Sequence, residues 1–190
     1  MLFLSYILSL LLLLPTSSTL PETRAADTKP PGEKIPWSAT RRLTWADFKS
    51  KPQPIEQMAA LTAATIDAQI GCKDYVFEAD VKAVFIPSES WVRDPAKASP
   101  ALLRHEQLHF DLTELHARMM RQKLSILKFD CEHLQPAFQN LSNATFSAWK
   151  RETARYDQET NHSLNAAKQL YWETQVQQRL ALLEKFASKP

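Results

Sequence analysis

The residues best suited to chemistry in this chain are two histidines that flank a glutamate, in the pattern His105-Glu106-Gln107-Leu108-His109. In a helix, residues four apart lie one turn apart on the same face, so both imidazoles can bind one zinc ion. The glutamate between them can act as a general base on a zinc-bound water. The alternative is a helix with two surface histidines and an unrelated glutamate. The pattern and its surroundings favour a catalytic zinc site.

A catalytic zinc ion usually has three protein ligands, and this pattern supplies two. His116 lies on nearly the same helix face, but it is about 10.5 Å beyond His109 along the helix axis, too far to share the ion. Asp111 and Glu114 point elsewhere on the helix, either as partners of the ligands or as surface residues. The third ligand must come from another segment. Four residues are candidates: His133, Asp157, Glu159 and His162. His162 is favoured because it lies at the junction of two predicted helices.

Three further segments accompany the histidine pattern: Leu43-Thr44-Trp45-Ala46-Asp47-Phe48, Ser88-Glu89-Ser90-Trp91-Val92 and Tyr156-Asp157-Gln158-Glu159-Thr160-Asn161-His162. Together with residues 105–115 they resemble the motifs of a bacterial family of predicted secreted zinc-dependent proteases, domain-of-unknown-function family 922. This ordered set spans from about residue 43 to the C-terminus and is more specific than H-E-x-x-H alone. The resemblance implies a zincin-like site in which His162 matches a histidine of the last motif. Ser163 stands where the resemblance leads us to expect glycine.

These residues predict a zinc metallopeptidase that hydrolyses a protein or peptide substrate. His105, His109 and His162 are expected to hold one zinc ion, and Glu106 to take a proton from the zinc-bound water and pass it to the leaving amine. Tyr156 is a candidate hydrogen-bond donor to the oxyanion, although a tyrosine at this position can equally belong to the core. Two other functions remain open: a non-catalytic, zinc-containing extracytoplasmic binding domain, and a metallohydrolase of cell-wall amide bonds.

The elements that must position these residues follow from hydrophobic periodicity. Ser99 and Pro100 predict the start of a long helix that runs to about residue 128, with one apolar stripe through Leu108, Leu112 and Leu115. Further helices are predicted at about 142–159 and 164–187, and strands at 61–70 and 76–86 with a turn at 71–74. Strands followed by helices give an α+β, zincin-like fold with the histidine pattern on the first long helix. Residues 84–88 are predicted to form an edge strand that binds extended substrate, with an ordinary strand end as the alternative.

The N-terminus predicts export. Residues 2–14 are almost entirely apolar, too short a run for a membrane span and suited to a secretory signal peptide, which we place at residues 1–26. The Pro-rich residues 27–36 read as a linker, and residues 37–190 as one metallopeptidase domain. The protein is therefore expected to be secreted or periplasmic, with no stable membrane span once the signal is cleaved. In such a compartment Cys72 and Cys131 favour a disulfide, with free thiols or metal ligation as alternatives.

Composition argues against nucleic acid as a partner. The formal net charge is +2 and no basic run stands out. The five tryptophans are better explained as core anchors than as platforms for base stacking. The sequence leaves the oligomeric state open.

Overall fold

In the described part of the chain, five strands precede three helices, which confirms an α+β fold with a small antiparallel sheet. The computed structural model describes residues 32–127, 129, 131–132 and 134–188. The predicted signal peptide and the first half of the predicted linker lie outside these residues. The strands are β1 (Ile35–Pro36), β2 (Ala60–Leu61), β3 (Ala64–Lys73), β4 (Val76–Phe85) and β5 (Trp91–Val92). The helices are α1 (Pro100–Ile126), α2 (Leu134–Thr160) and α3 (Ala166–Leu182), and short 3₁₀ helices cover Trp45–Asp47 and Glu184–Phe186.

The predicted hairpin is present, but its turn lies further along the chain than expected. Strands β3 and β4 pair in register from Ala64 opposite Phe85 to Lys73 opposite Val76. This leaves a two-residue turn at Asp74 and Tyr75, with φ of 50° and 63°. A two-residue hairpin turn of this kind needs positive φ at both positions, so the backbone of these two residues, not Gly71, reverses the chain.

The larger sheet has the order β1-β4-β3, which places β4 in its centre. Val84 pairs with Pro36 on one side and with Thr65 on the other. The prediction that residues 84–88 form a free edge strand is therefore wrong. The sequence pattern showed no sign of β1, which is formed by the last two residues of the predicted linker and pairs with the side of β4 that does not face β3. A second, two-stranded sheet joins β2 to β5.

Helix α1 is the centre of the molecule and is buried on two sides. Ser99 caps its start as predicted, since the side chain accepts a hydrogen bond from the backbone N–H of Leu102, and Pro100 follows. One apolar face, with Phe110 and Met120, packs in a core cluster with sheet residues. The opposite face joins a second cluster with α2 and α3: Leu108, Leu112, Leu115, Tyr156, Trp172, Val176 and Leu180.

The segment before the hairpin is fastened to α1 through buried polar groups. The Trp37 indole donates a hydrogen bond to Asp111 Oδ1 at 2.8 Å, and Arg42 forms an ion pair with Asp111 Oδ2 at 3.1 Å. Gln107 Oε1 accepts a hydrogen bond from the backbone N–H of Leu43 at 2.7 Å. These contacts tie the Leu43–Phe48 motif to the helix that carries the histidine pattern.

A disulfide between Cys72 and Cys131 links the end of β3 to the segment that follows α1. It confirms the pairing that the sequence favoured. None of the helices in the described ranges combines the length and apolar character that a membrane span requires.

Candidate metal centre

His105 and His109 lie one turn apart on α1, and their side chains meet at the floor of a cavity. The two Nε2 atoms are 3.3 Å apart, and the rings are perpendicular with centroids 4.8 Å apart. Side chains that are four residues apart in an α-helix lie on the same face, which is why this spacing brings the two histidines together. Both nitrogens point toward the same small volume.

Asp157, in the last turn of α2, completes a triangle with these nitrogens. Its Oδ1 is 3.1 Å from His105 Nε2 and 2.9 Å from His109 Nε2. Donor atoms that surround a zinc ion tetrahedrally at about 2.0–2.1 Å lie about 3.3 Å from one another. The three separations of 2.9 to 3.3 Å are close to this value. Two imidazoles and a carboxylate are also a donor set that zinc accepts, so these residues fit the ion.

The electrostatics of the triangle favour an ionised carboxylate. Burial opposes ionisation of Asp157, but hydrogen bonds from both imidazoles and their charge hold its pKa well below the usual range. Burial likewise opposes the charged form of His109, yet the hydrogen bond and charge of Asp157 raise the pKa of this histidine. The carboxylate is thus held in the deprotonated form that binds a metal ion.

His162, the third ligand favoured by the sequence, lies at the rim of the same site. Its Nδ1 is 3.7 Å from Asp157 Oδ1, its ring is 6.5 Å from that of His105, and its side chain is 59% exposed. Nitrogen and oxygen atoms of His105, Asp157 and His162 all lie within 4.8 Å of one another. His162 is therefore within reach of a shared ion, although it is less tightly placed than Asp157.

The turn that carries His162 is left-handed over three residues. Asn161, His162 and Ser163 have φ of 48°, 49° and 77°. The backbone N–H of His162 donates to the carbonyl of Asp157, and that of Asn165 donates to the carbonyl of Thr160. Left-handed backbone favours glycine, which explains why glycine is expected at position 163. Here serine adopts the same conformation, and the turn is kept.

Of the other two candidates for the third ligand, only Glu159 is among the described residues, and it is not brought to this site. Glu159 faces away, where it contacts Arg155, Lys168 and the Trp172 indole. His133 lies outside the described residues.

Glu106 is buried and lines the cavity beside the histidines. Its backbone carbonyl accepts a hydrogen bond from Thr62 Oγ1 at 3.1 Å. Within the described ranges, its carboxylate has no hydrogen bond and no ion pair to another residue. A buried carboxylate without a protein partner is available to bind a water molecule.

Tyr156 packs against the rings of both histidines. Its ring stacks on that of His105 with centroids 4.7 Å apart and meets His109 edge-on at 4.9 Å. Its hydroxyl donates to Gln169 Oε1 at 2.8 Å and lies 3.2 Å from the carbonyl oxygen of His105. Burial raises the pKa of Tyr156 far above its ordinary value. The hydroxyl points into the contact between α1 and α3, so this geometry does not support the predicted hydrogen bond to an oxyanion.

Gln169 on α3 is a site residue that sequence reasoning missed. Its Oε1 is 3.3 Å from His105 Nδ1, and its Nε2 donates to Glu173 at 3.0 Å. An amide oxygen at this position can accept a hydrogen bond from Nδ1–H, and in that tautomer the unprotonated Nε2 of His105 can bind a metal ion in place of its hydrogen bond to Asp157. A glutamine on a helix carries no sequence signal for this role.

Three other polar residues of α1 have structural partners instead. Asp111 anchors the segment before the hairpin, as described above. Glu114 pairs with Arg118 and Arg121. His116 binds Glu152 of α2 at 2.8 Å, and Arg179 of α3 contacts the same carboxylate.

The cavity has a volume of about 670 Å³, and residues 57–62 form one of its walls. The Ser88–Val92 motif supports this wall. Ser90 is fully buried, and its Oγ accepts from the backbone N–H of Ala63 and donates to the carbonyl of Ile86. Trp91 and Val92 form β5, the partner of β2. Arg93 Nε then donates to the carbonyl of Met58 at 3.2 Å.

Comparison with known proteins identifies one family. The family model described as "Bacterial protein of unknown function (DUF922)" matches residues 52–163, which include the cavity wall, the histidine pattern, Asp157 and His162. The chain belongs to this family. No curated protein and no solved structure matches the chain.

Proposed function

We propose that this member of the DUF922 family is a zinc-dependent metalloendopeptidase that acts in the periplasm or outside the cell. The observation that carries the proposal is the convergence of His105 Nε2, His109 Nε2 and Asp157 Oδ1 within 3.3 Å, beside the buried carboxylate of Glu106. We assign zinc to these three residues, with His162 as a neighbouring group that can also reach the ion. Zinc bound there would supply a Lewis acid that polarises the scissile carbonyl and acidifies water.

The protein groups carry the proton transfers. Glu106 accepts a proton from the attacking water, since its carboxylate lines the cavity without a partner among the described residues. It then gives this proton to the nitrogen of the broken amide bond, which leaves as an amine. Gln169 and Tyr156 hold the His105 ring in place and leave its Nε2 directed at the site.

The wall formed by residues 57–62 supports a peptide as the substrate. All six residues line the cavity. Strand β2 (Ala60–Leu61) lies within this run of six, so the backbone of the strand runs along the cavity wall. The Arg93 N–H bonds to the Ala59 carbonyl, so the next residue, Ala60, directs its N–H and C=O away from β5. An extended peptide can pair with this edge.

One feature favours a catalytic zinc over a structural zinc, and a second feature supports export of the protein. The two core clusters give the domain a hydrophobic interior that does not depend on the metal site. The Cys72–Cys131 disulfide is typical of an oxidising compartment, which supports export.

The test is a comparison of the wild type with Glu106→Gln on casein, blocked peptides and peptidoglycan. We expect equal zinc content in both proteins, hydrolysis of peptides by the wild type, and a loss of turnover of at least about a hundredfold in the variant. Zinc removal should abolish hydrolysis while circular dichroism remains unchanged. Unfolding on zinc removal would instead indicate a structural zinc in a binding domain. Full activity in Glu106→Gln would exclude the mechanism, and cleavage of peptidoglycan alone would change the substrate class.

A further inference from the structure

The cavity contains an apolar patch directly beside the proposed zinc ligands. Leu102 lies one turn before His105 on α1, about 4.5 Å along the helix axis. Met58 and Leu61 line the same cavity, each 37% exposed, and Leu164 follows the turn that carries His162 and is 78% exposed. Three separate segments thus bring large apolar side chains to one concave site. Apolar side chains that remain wet inside a cavity gain stability when a ligand covers them.

Apart from its three histidines, the charged side chains among the described residues of the cavity are acidic. Its acidic groups are Glu106 and Asp157, and no lysine or arginine is among the described residues that line it. The proposed zinc ion has its own protein ligands. A carboxylate brought into the apolar patch would therefore lose its hydration without a lysine or arginine partner among the described lining residues. An uncharged apolar side chain meets no such penalty.

We propose that this patch, formed by Met58, Leu61, Leu102 and Leu164, is a specificity pocket for an apolar side chain next to the scissile bond, and that it rejects acidic side chains. The distance along α1 between Leu102 and His105 matches a step of one to two residues of an extended peptide. The proposal rests on the proposed function, since it assumes that the cavity binds a peptide across the zinc site. It adds the class of sequence that the site selects.

The experiment measures binding separately from hydrolysis. Zinc-loaded full-length Glu106→Gln is titrated into labelled alanine-based peptides with blocked ends that carry one leucine or one aspartate, and binding is followed by fluorescence anisotropy. We expect the leucine peptide to bind at least about tenfold more tightly, the usual size of an apolar pocket's discrimination. Hydrolysis of the same peptides by the wild type tests the proposed function independently.

A matched pair of charge variants identifies the pocket. Met58→Lys places a cation inside the cavity, whereas Ile55→Lys places the same charge three residues earlier at a position that is 86% exposed and does not line the cavity. We expect Met58→Lys to shift the preference toward aspartate by about tenfold or more, and Ile55→Lys to leave it unchanged.

Equal binding of both peptides, tighter binding of the aspartate peptide, no binding of either, or equal shifts in the two lysine variants would each overturn the proposed pocket. Selective binding of the leucine peptide by Glu106→Gln, together with no hydrolysis of any peptide by the wild type, would support the pocket and refute the protease. Hydrolysis without selectivity would support the protease and refute the pocket.

Discussion

Removal of the Asp157 carboxylate tests the proposed zinc site most directly. Asp157 Oδ1 is 2.9 and 3.1 Å from the two histidine nitrogens, close to the separation of about 3.3 Å expected between zinc ligands. Loss of a residue that only supports a ligand typically weakens metal binding by about 10–100-fold. Asp157→Asn replaces the proposed carboxylate ligand with a neutral amide, which is a much weaker ligand, so we expect the zinc Kd to rise by more than about 100-fold, or more than about 2.7 kcal/mol.

The comparison variants are His162→Ala and Glu159→Gln. His162 Nδ1 is 3.7 Å from Asp157 Oδ1 and its side chain is largely exposed, so we expect a rise in Kd of less than about tenfold. Glu159 lies two residues after Asp157 but faces Arg155 and Trp172. Its conversion to glutamine removes the same charge, and we expect no change in Kd.

Competition with a chromophoric zinc chelator measures these constants, and circular dichroism confirms that each variant is folded. A larger effect of His162→Ala than of Asp157→Asn would refute the assignment of Asp157 and restore the ligand set predicted from the sequence. Equal effects of Asp157→Asn and Glu159→Gln would show that only the overall charge of this region matters.

Two further predictions concern the surroundings of the site. Gln169→Leu removes the acceptor for His105 Nδ1 and for the Tyr156 hydroxyl. We expect the zinc Kd to rise by about 10–100-fold in the same chelator assay. An unchanged Kd would mean that Gln169 does not orient the His105 ring. Burial opposes ionisation of Glu152, but hydrogen bonds from His116 and Arg179 lower its pKa to about 2. Because the pKa is lower in the folded state, Glu152 stabilises the protein at neutral pH, and this stability is lost as pH falls from about 4.5 toward 2. Glu152→Gln should reduce the free energy of unfolding by about 3 kcal/mol at pH 7, and this difference should shrink at pH 3; equal differences in urea unfolding at both values would contradict the assignment.

The part of the site that could be predicted from the sequence is the part that one helix determines. His105, Glu106 and His109 follow from the period of the α-helix, and the Ser99–Pro100 start of α1 is a local signal of the same kind. The placement of Asp157 depends on how α2 packs on α1, across 52 residues of sequence. Local periodicity does not indicate how two helices pack on each other. The sequence could therefore only limit the third ligand to four candidates.

The strand errors have a similar origin. Alternation of apolar residues indicated that residues 76–86 form a strand, but the position of a strand within its sheet depends on its neighbours. The short strand β1, from a Pro-rich segment read as linker, covers one side of β4. The wall beside the histidines is instead made by residues 57–62, whose two-residue strand β2 has too short a pattern to recognise. Helix α1 also has a second apolar face through Phe110 and Met120, because it is buried between the sheet and the other helices.

The Cys72–Cys131 disulfide divides the residues of the proposed zinc site between two parts of the chain, one inside the closed loop and one outside it. The closed loop from residue 72 to residue 131 contains β4, β5 and α1, and hence both histidines and Glu106. A single peptide-bond break anywhere inside this loop leaves one covalently joined molecule. Asp157 lies outside the loop, so a break between residues 132 and 156 separates the carboxylate from the histidines. In surroundings that contain other proteases, α2 is therefore the connection on which an intact centre depends.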